Sequence, residues 1–289
     1  MKTFWKRTLS ATVYAVLFLG SIYSAQLSGN RTFGLCLFGA FLLFVTVGCT
    51  FEFFRIVAKQ GAHPTRGVGY VLAVASFVAT YIVTFLLFSN DLAVFIGGPM
   101  RLVQVALLAL LIFPIVVMLQ LWSGSEQPFR DAAYTILPAL YVGVPLGLMP
   151  ALHFHANILV MILAMVWIND SAAYMCGSWY GKHKMWPRHS PGKTWEGTVS
   201  GVIVTMVFAA LVGPLFNDSM SWCIWAVVGA LTGVVSTLGD LTESMLKRSV
   251  DVKDSGKIMP GHGGFLDRFD SLLMVTPVIF VFYVVFISI

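Results

Sequence analysis

The sequence predicts an all-α, polytopic membrane helix bundle of about nine transmembrane helices, with a cytoplasmic N-terminus. Three observations carry this reading. Of 289 residues, 58% are apolar or aromatic and only 11% are charged, whereas a soluble domain carries about 25% Asp, Glu, Lys and Arg. Apolar stretches recur along the whole chain at the length a bilayer demands, about 20 helical residues for a core of about 30 Å. The basic residues also sort by side: sixteen of the eighteen Lys and Arg fall in segments assigned to the cytoplasm, leaving only Arg31 and Arg101 outside. Mean hydropathy is +0.84. So few charges exclude an ordinary water-soluble enzyme and a disordered chain. The four cysteines form no C-x-x-C and sit in or beside apolar runs, as buried, reduced packing residues do. Net charge is +5, but its placement follows topology, and no nucleic-acid partner is expected.

The spans are read at residues 9–27, 33–51, 68–88, 102–122, 132–152, 158–180, 199–216, 222–241 and 272–289. The first follows Lys2, Lys6 and Arg7 and ends near Ser24 and Ala25, like a signal peptide; the charge distribution argues against cleavage. Pro114, Pro138 and Pro145 predict kinks, which membrane helices tolerate when neighbours satisfy the freed carbonyls. Two regions follow. Residues 1–155 read as scaffold helices. Residues 156–289 read as a catalytic region with cytoplasmic loops at 181–198 and 244–271, the longest polar segments. Glu52 and Arg55 read as a pair at a helix end, and Asp91, Glu126, Asp131 and Asp218 as loop charges.

Charges within spans mark candidate function, because an ionisable group at membrane depth costs a few kcal/mol. Asp170 lies in the sixth stretch and shares a face with Ser171 and Tyr174. Asp240, Glu243, Ser244 and Lys247 form one helical stripe. The densest polar segment runs from Lys247-Arg248 through Lys253-Asp254 and Pro260-Gly261-His262-Gly263-Gly264 to Asp267-Arg268-Phe269-Asp270. Carboxylates such as Asp240, Asp267 and Asp270 offer hard oxygens to Mg²⁺, or to two cations. Glycines let backbone amides approach an anion, and the basic residues suit phosphates. Lys182, Lys184, Ser190, Lys193 and Thr194 in the other loop also suit an anion. Gly192-Lys193-Thr194 is no P-loop: Pro187 stands where that motif needs glycine.

These residues resemble the signature of the phosphatidate cytidylyltransferase (CDP-diacylglycerol synthase) family. Its spacings are intact over the 27 residues from Ser244 to Asp270, and Asn169–Tyr174, Gly181–Lys184 and Ser190–Gly197 are similar to that family's cytoplasmic loops. Met259 replaces another aliphatic residue, and Gly192 stands where many members carry a second Lys. The resemblance implies that CTP and phosphatidate, with Mg²⁺, give CDP-diacylglycerol and pyrophosphate. It also implies a homodimer. The short N-terminus and compact length point to a bacterial inner membrane, and the topology puts the site on the cytoplasmic side. The expected catalytic residues are Asp267, Asp240 and Lys253. Metal ligands are expected among Asp240, Asp267, Asp270 and Asp170. Lys182, Lys184, Ser190, Lys193, Thr194, Lys247, Arg248, His262, Gly263, Gly264 and Arg268 are expected to bind substrate. A CTP-dependent polyprenol kinase and an ion or solute transporter are the alternatives. The first would release CDP; the second would favour a midplane site between repeated halves, and no repeat is visible.

Overall fold

The computed structural model describes residues 2–88, 112–122, 125–153, 156–217, 220–256 and 263–286. The described residues are mostly helical: α1 (Lys2–Ser28), α2 (Arg31–Ala58), α3 (Arg66–Phe88), α4 (Ile112–Leu119), α5 (Pro128–Pro138), α6 (Val144–His153), α7 (Ala156–Tyr180), α8 (Trp195–Phe216), α9 (Trp222–Arg248) and α10 (Leu266–Phe286). Seven helices among the described residues are long and apolar enough to cross a membrane, counting α5 to α6 as one, and Ala15–Ser28 is a shorter apolar stretch. The protein is thus a polytopic integral membrane bundle. The first part of the predicted span at 102–122, residues 102–111, lies outside the described residues, as do Asp91 and Asp218. Large apolar side chains such as Phe44, Val71, Leu211 and Leu215 are exposed on the outside of the bundle, which suits lipid as solvent.

Local chemistry sets the helix starts. Asn30, Thr194 and Ser221 each accept a hydrogen bond from a backbone N–H in the first turn of α2, α8 and α9, satisfying donors that no carbonyl of the helix can reach. Pro138 ends α5 in a π turn at Ala139–Gly143, and α6 continues from it. There the Ala139 carbonyl accepts from Ser76 Oγ of α3 at 3.1 Å, and Thr84 Oγ1 donates to the Gly147 carbonyl at 3.1 Å. Neighbouring hydroxyls therefore support the kink.

Small residues govern the packing of α7, α8 and α9. A Cβ added at Gly197 would stand 2.6 Å from the Ala173 carbonyl oxygen and 2.9 Å from Gly177 Cα, so the helices approach backbone to backbone, as small-residue interfaces in membranes do. Asn169, fully buried, bridges α7 to α9 by donating to Ser236 Oγ at 2.9 Å and Thr237 Oγ1 at 3.1 Å. Between α7 and α8 lies an antiparallel hairpin, β1 (Lys184–Trp186) and β2 (Ser190–Thr194), which the all-helical reading did not foresee. His183 and Glu196 close its base: the ring Nδ1 lies 2.5 Å from Oε1, and the His183 N–H donates to the same carboxylate.

Gly197→Val should force α7 and α8 apart and lower stability by about 1–3 kcal/mol, seen as a lower thermal midpoint in detergent. Gly192→Ala, with nothing within 4 Å of the added Cβ, should leave the midpoint unchanged. Equal midpoints for both variants would refute this packing account.

Candidate active site

The polar residues gather at one end of the bundle, where α2, α7, α9 and the hairpin end and α8 and α10 begin. Its core is a knot of buried charges. α9 runs unbroken through the predicted span end at 241, so Asp240, Glu243 and Lys247 stay on one helical stripe. The Lys247 ammonium sits between Glu243, with which it forms an ion pair, and Asp267 Oδ1 of α10 at 2.6 Å. Asp267 Oδ2 accepts from the N–H of Gly264 at 2.7 Å, the N–H of Ser255 at 2.9 Å and Ser255 Oγ at 2.9 Å. Asp267 is therefore fully engaged inside the protein.

Asp240, Glu243 and Asp270 bring one carboxylate oxygen each within 4.8 Å of one another. Three hard oxygens at that spacing can take a divalent cation such as Mg²⁺ or Ca²⁺. Glu243 is wholly buried; the Lys247 ammonium pairs with its Oε2, while its Oε1 has no hydrogen-bond donor. Buried carboxylate oxygens normally have donors, so this unused capacity fits a ligand to a cation.

Beside the trio a cavity of about 690 Å³ opens between α7, the hairpin and α9, lined among others by Asp170, Tyr174, Lys184, Ser190, Lys193 and Asp240. Lys193 Nζ lies 2.6 Å from Asp240 Oδ2 and donates to the Thr237 carbonyl at 3.2 Å. Asp240 thus belongs to both the cavity wall and the trio.

The structure brings together Asp170, Asp240, Lys184, Ser190 and Lys193 at the cavity, and Asp240 and Asp270 in the trio. Thr194 lines the cavity as well, but its hydroxyl accepts from the Gly197 N–H and caps α8. The Gly264 N–H is taken by Asp267, and Gly263 adopts φ 79° with Asp267 close beneath it. Arg248 donates to the His189 and Val252 carbonyls and so ties hairpin to loop. Lys182, Lys253 and Arg268 are exposed around this end. His262 lies outside the described residues.

Sequence reasoning missed Glu243, Glu52, Arg55 and Ser255 at this end of the bundle, and it misread Asp131 elsewhere. Glu243 stood on the recognised stripe, and its i, i+3 relation to Asp240 was the available signal. Glu52 and Arg55 do not hold each other: Arg55 Nη2 donates to the Ser255 carbonyl at 2.8 Å, and Glu52 accepts from Ser255 Oγ and two backbone N–H groups. Ser255 had no signal beyond its place beside Lys253-Asp254. Asp131, read as a loop charge, is wholly buried and accepts from the His63 N–H and Ser125 Oγ.

Comparison with known proteins identifies the family. The profile of the Cytidylyltransferase family matches residues 5–286. A Staphylococcus haemolyticus protein named phosphatidate cytidylyltransferase is 39% identical over 165 residues, covering 54% of this chain and 61% of that protein. A Staphylococcus aureus (strain COL) protein of the same name is 36% identical over 189 residues, covering 63% and 71%. One from Staphylococcus epidermidis is 40% identical over 161 residues, covering 54% and 61%. The chain thus spans about three fifths of the length of the first and third of these relatives.

Lys247→Met should leave Glu243 and Asp267 uncompensated and cost about 3 kcal/mol or more. Adding Glu243→Gln should recover part of that loss. Thermal unfolding of the single and double variants in detergent measures both, and a single variant as stable as the parent would disprove the buried knot.

Proposed function

Because the chain belongs to the cytidylyltransferase family, we propose that it transfers the cytidylyl group of CTP to phosphatidate, giving CDP-diacylglycerol and pyrophosphate. The observation that carries this reading is the acidic trio set against the wall of the polar cavity, at the charged end of a membrane bundle. A lipid phosphate and a water-soluble nucleotide both reach such a place. By the distribution of Lys and Arg, that end faces the cytoplasm of a bacterial inner membrane. The family resemblance adds a homodimer to the proposal.

The nucleophile needs no strong base. A phosphate monoester has its second pKa near 6 and is mostly dianionic at neutral pH. One of its oxygens bonds to the α-phosphorus of CTP while the bond from that phosphorus to the α–β bridging oxygen breaks, and the electron pair leaves with pyrophosphate. The barrier is repulsion between anions, so catalysis consists of neutralising and aligning them. Mg²⁺ held by Asp240, Glu243 and Asp270 supplies positive charge at the phosphates when bound. Lys193, fixed by Asp240 and the Thr237 carbonyl, adds a charge-assisted donor on the cavity wall; Lys184 and Ser190 add two more donors. Asp170 is a second carboxylate within the same cavity. Asp267 anchors Lys247, which balances the charge of Glu243. Lys182, Lys253, Arg248 and Arg268 contribute the positive rim that draws in both substrates.

Incubating the purified protein with labelled CTP, phosphatidate and Mg²⁺ should move the cytidine label into extracted lipid and release pyrophosphate. Release of CDP with phosphorylation of the lipid would overturn the assignment. EDTA should abolish turnover, and Asp270→Asn should reduce kcat about a hundredfold or more. Lys193→Ala should raise the KM for CTP about tenfold, the loss of one charge-assisted hydrogen bond. An unchanged KM would remove that lysine from the nucleotide site.

A further inference from the structure

Glu52 is a wholly buried carboxylate on α2, whose other buried residues are mostly apolar. Its Oε1 accepts from the Phe265 N–H at 3.1 Å, and its Oε2 from the Leu266 N–H at 2.9 Å and Ser255 Oγ at 2.7 Å. Those two N–H groups belong to the start of α10, where no carbonyl of that helix can serve them, and the helix dipole favours a negative charge there. The contact is close. A Cβ added at Gly256 or Gly264 would fall on the Glu52 carboxylate, so two glycines of the loop admit Glu52 by lacking a side chain. The Ser255 hydroxyl is shared with Asp267 Oδ2, and Arg55 holds the Ser255 carbonyl from the same face of α2.

We infer that Glu52 is a positioning residue for the acidic trio: by anchoring the first turn of α10 to α2, it sets where Asp270 meets Asp240 and Glu243, and so sets the affinity for a divalent cation. The inference rests on the reading of that trio as a cation site. Asp267 already caps the same turn through the Gly264 N–H, so α10 remains a helix without Glu52. What Glu52 adds is the tie to another helix, which fixes the position of the first turn rather than its existence. Asp270 lies one turn beyond Leu266, so a shift at the tie moves its carboxylate directly. Groups that orient metal ligands from behind typically contribute 10–100-fold to affinity.

The test is Mn²⁺ binding followed by electron paramagnetic resonance, with Mg²⁺ titration by calorimetry, on the full-length protein in detergent without substrates. Glu52→Gln keeps the side-chain shape but turns an NH₂ group towards N–H donors. It should weaken divalent binding about tenfold. The Mg²⁺ dependence of turnover should shift by the same factor, with kcat recovered at saturating Mg²⁺ and the KM for CTP unchanged. Parent-like affinity in a folded Glu52→Gln protein would overturn the inference. If that variant does not fold, Ser255→Ala, which removes only the hydroxyl shared by Glu52 and Asp267, should still weaken binding several-fold; unaltered affinity there would overturn it equally. A parent protein that binds neither Mn²⁺ nor Mg²⁺ would refute the cation site itself. Parent binding with no effect of the variants would refute the role of Glu52 alone.

Discussion

A full charge sealed inside a membrane bundle is tolerable only where an opposite charge or a set of hydrogen-bond donors meets it, and Lys247 supplies the opposite charge for two carboxylates. Its ammonium joins Glu243, one turn back on α9, to Asp267 on the first turn of α10. Much of the polar end follows from that junction. α9 has to continue as one helix beyond its apolar stretch, so that Glu243 and Lys247 remain on the stripe begun by Asp240. α10 has to begin at Leu266, so that Asp267 faces α9. The loop between them has to fold back, so that Ser255 and Gly264 supply the donors that Asp267 still lacks. Removing any one of these leaves a buried charge or a buried donor unpaired, the costliest kind of defect.

The apolar part of the bundle solves a different problem. Lipid supplies no hydrophobic drive between helices, so α7, α8 and α9 associate through close backbone approach and the Asn169 bridge. That close packing has a consequence for the site. It holds the start of α8 against the end of α7, with Thr194 capping α8 and lying against Gly177 and Gly181. The hairpin between these two helix ends is therefore held over the cavity, and Lys193 reaches Asp240 from it. The packing surface and the cavity wall are made by neighbouring residues of the same helices.

The glycines of the signature segment show how one residue type serves two purposes. Read along the chain, they suggest backbone amides offered to an anion. In the folded protein the nearest anions are its own: Gly264 donates to Asp267, while Gly256 and Gly264 make room for Glu52. The described glycines thus meet carboxylates of this chain, Asp267 on α10 and Glu52 on α2. The intramembrane carboxylates Asp170 and Asp240 were visible from their apolar surroundings, because a charge there needs a reason. Glu52 passed as an ordinary helix-end charge, because its partners lie about two hundred positions away.

The sequence by itself determined what depends on composition and short spacing. Apolar runs and the distribution of Lys and Arg specified a polytopic bundle, and the segment from Ser244 to Asp270 pointed to the family and to the charged end where Asp240, Glu243 and Asp270 converge. Helical periodicity placed Asp240, Glu243 and Lys247 on one stripe. Tertiary structure alone decided which carboxylates converge. Asp270 joins Asp240 and Glu243, whereas Asp267, three residues earlier, turns to Lys247, Ser255 and Gly264. It also decided that α2 takes part through Glu52 and Arg55. The reason is physical: a carboxylate's partners are set by distances of a few ångströms between separate helices, and nothing in the local pattern of any one helix encodes those distances.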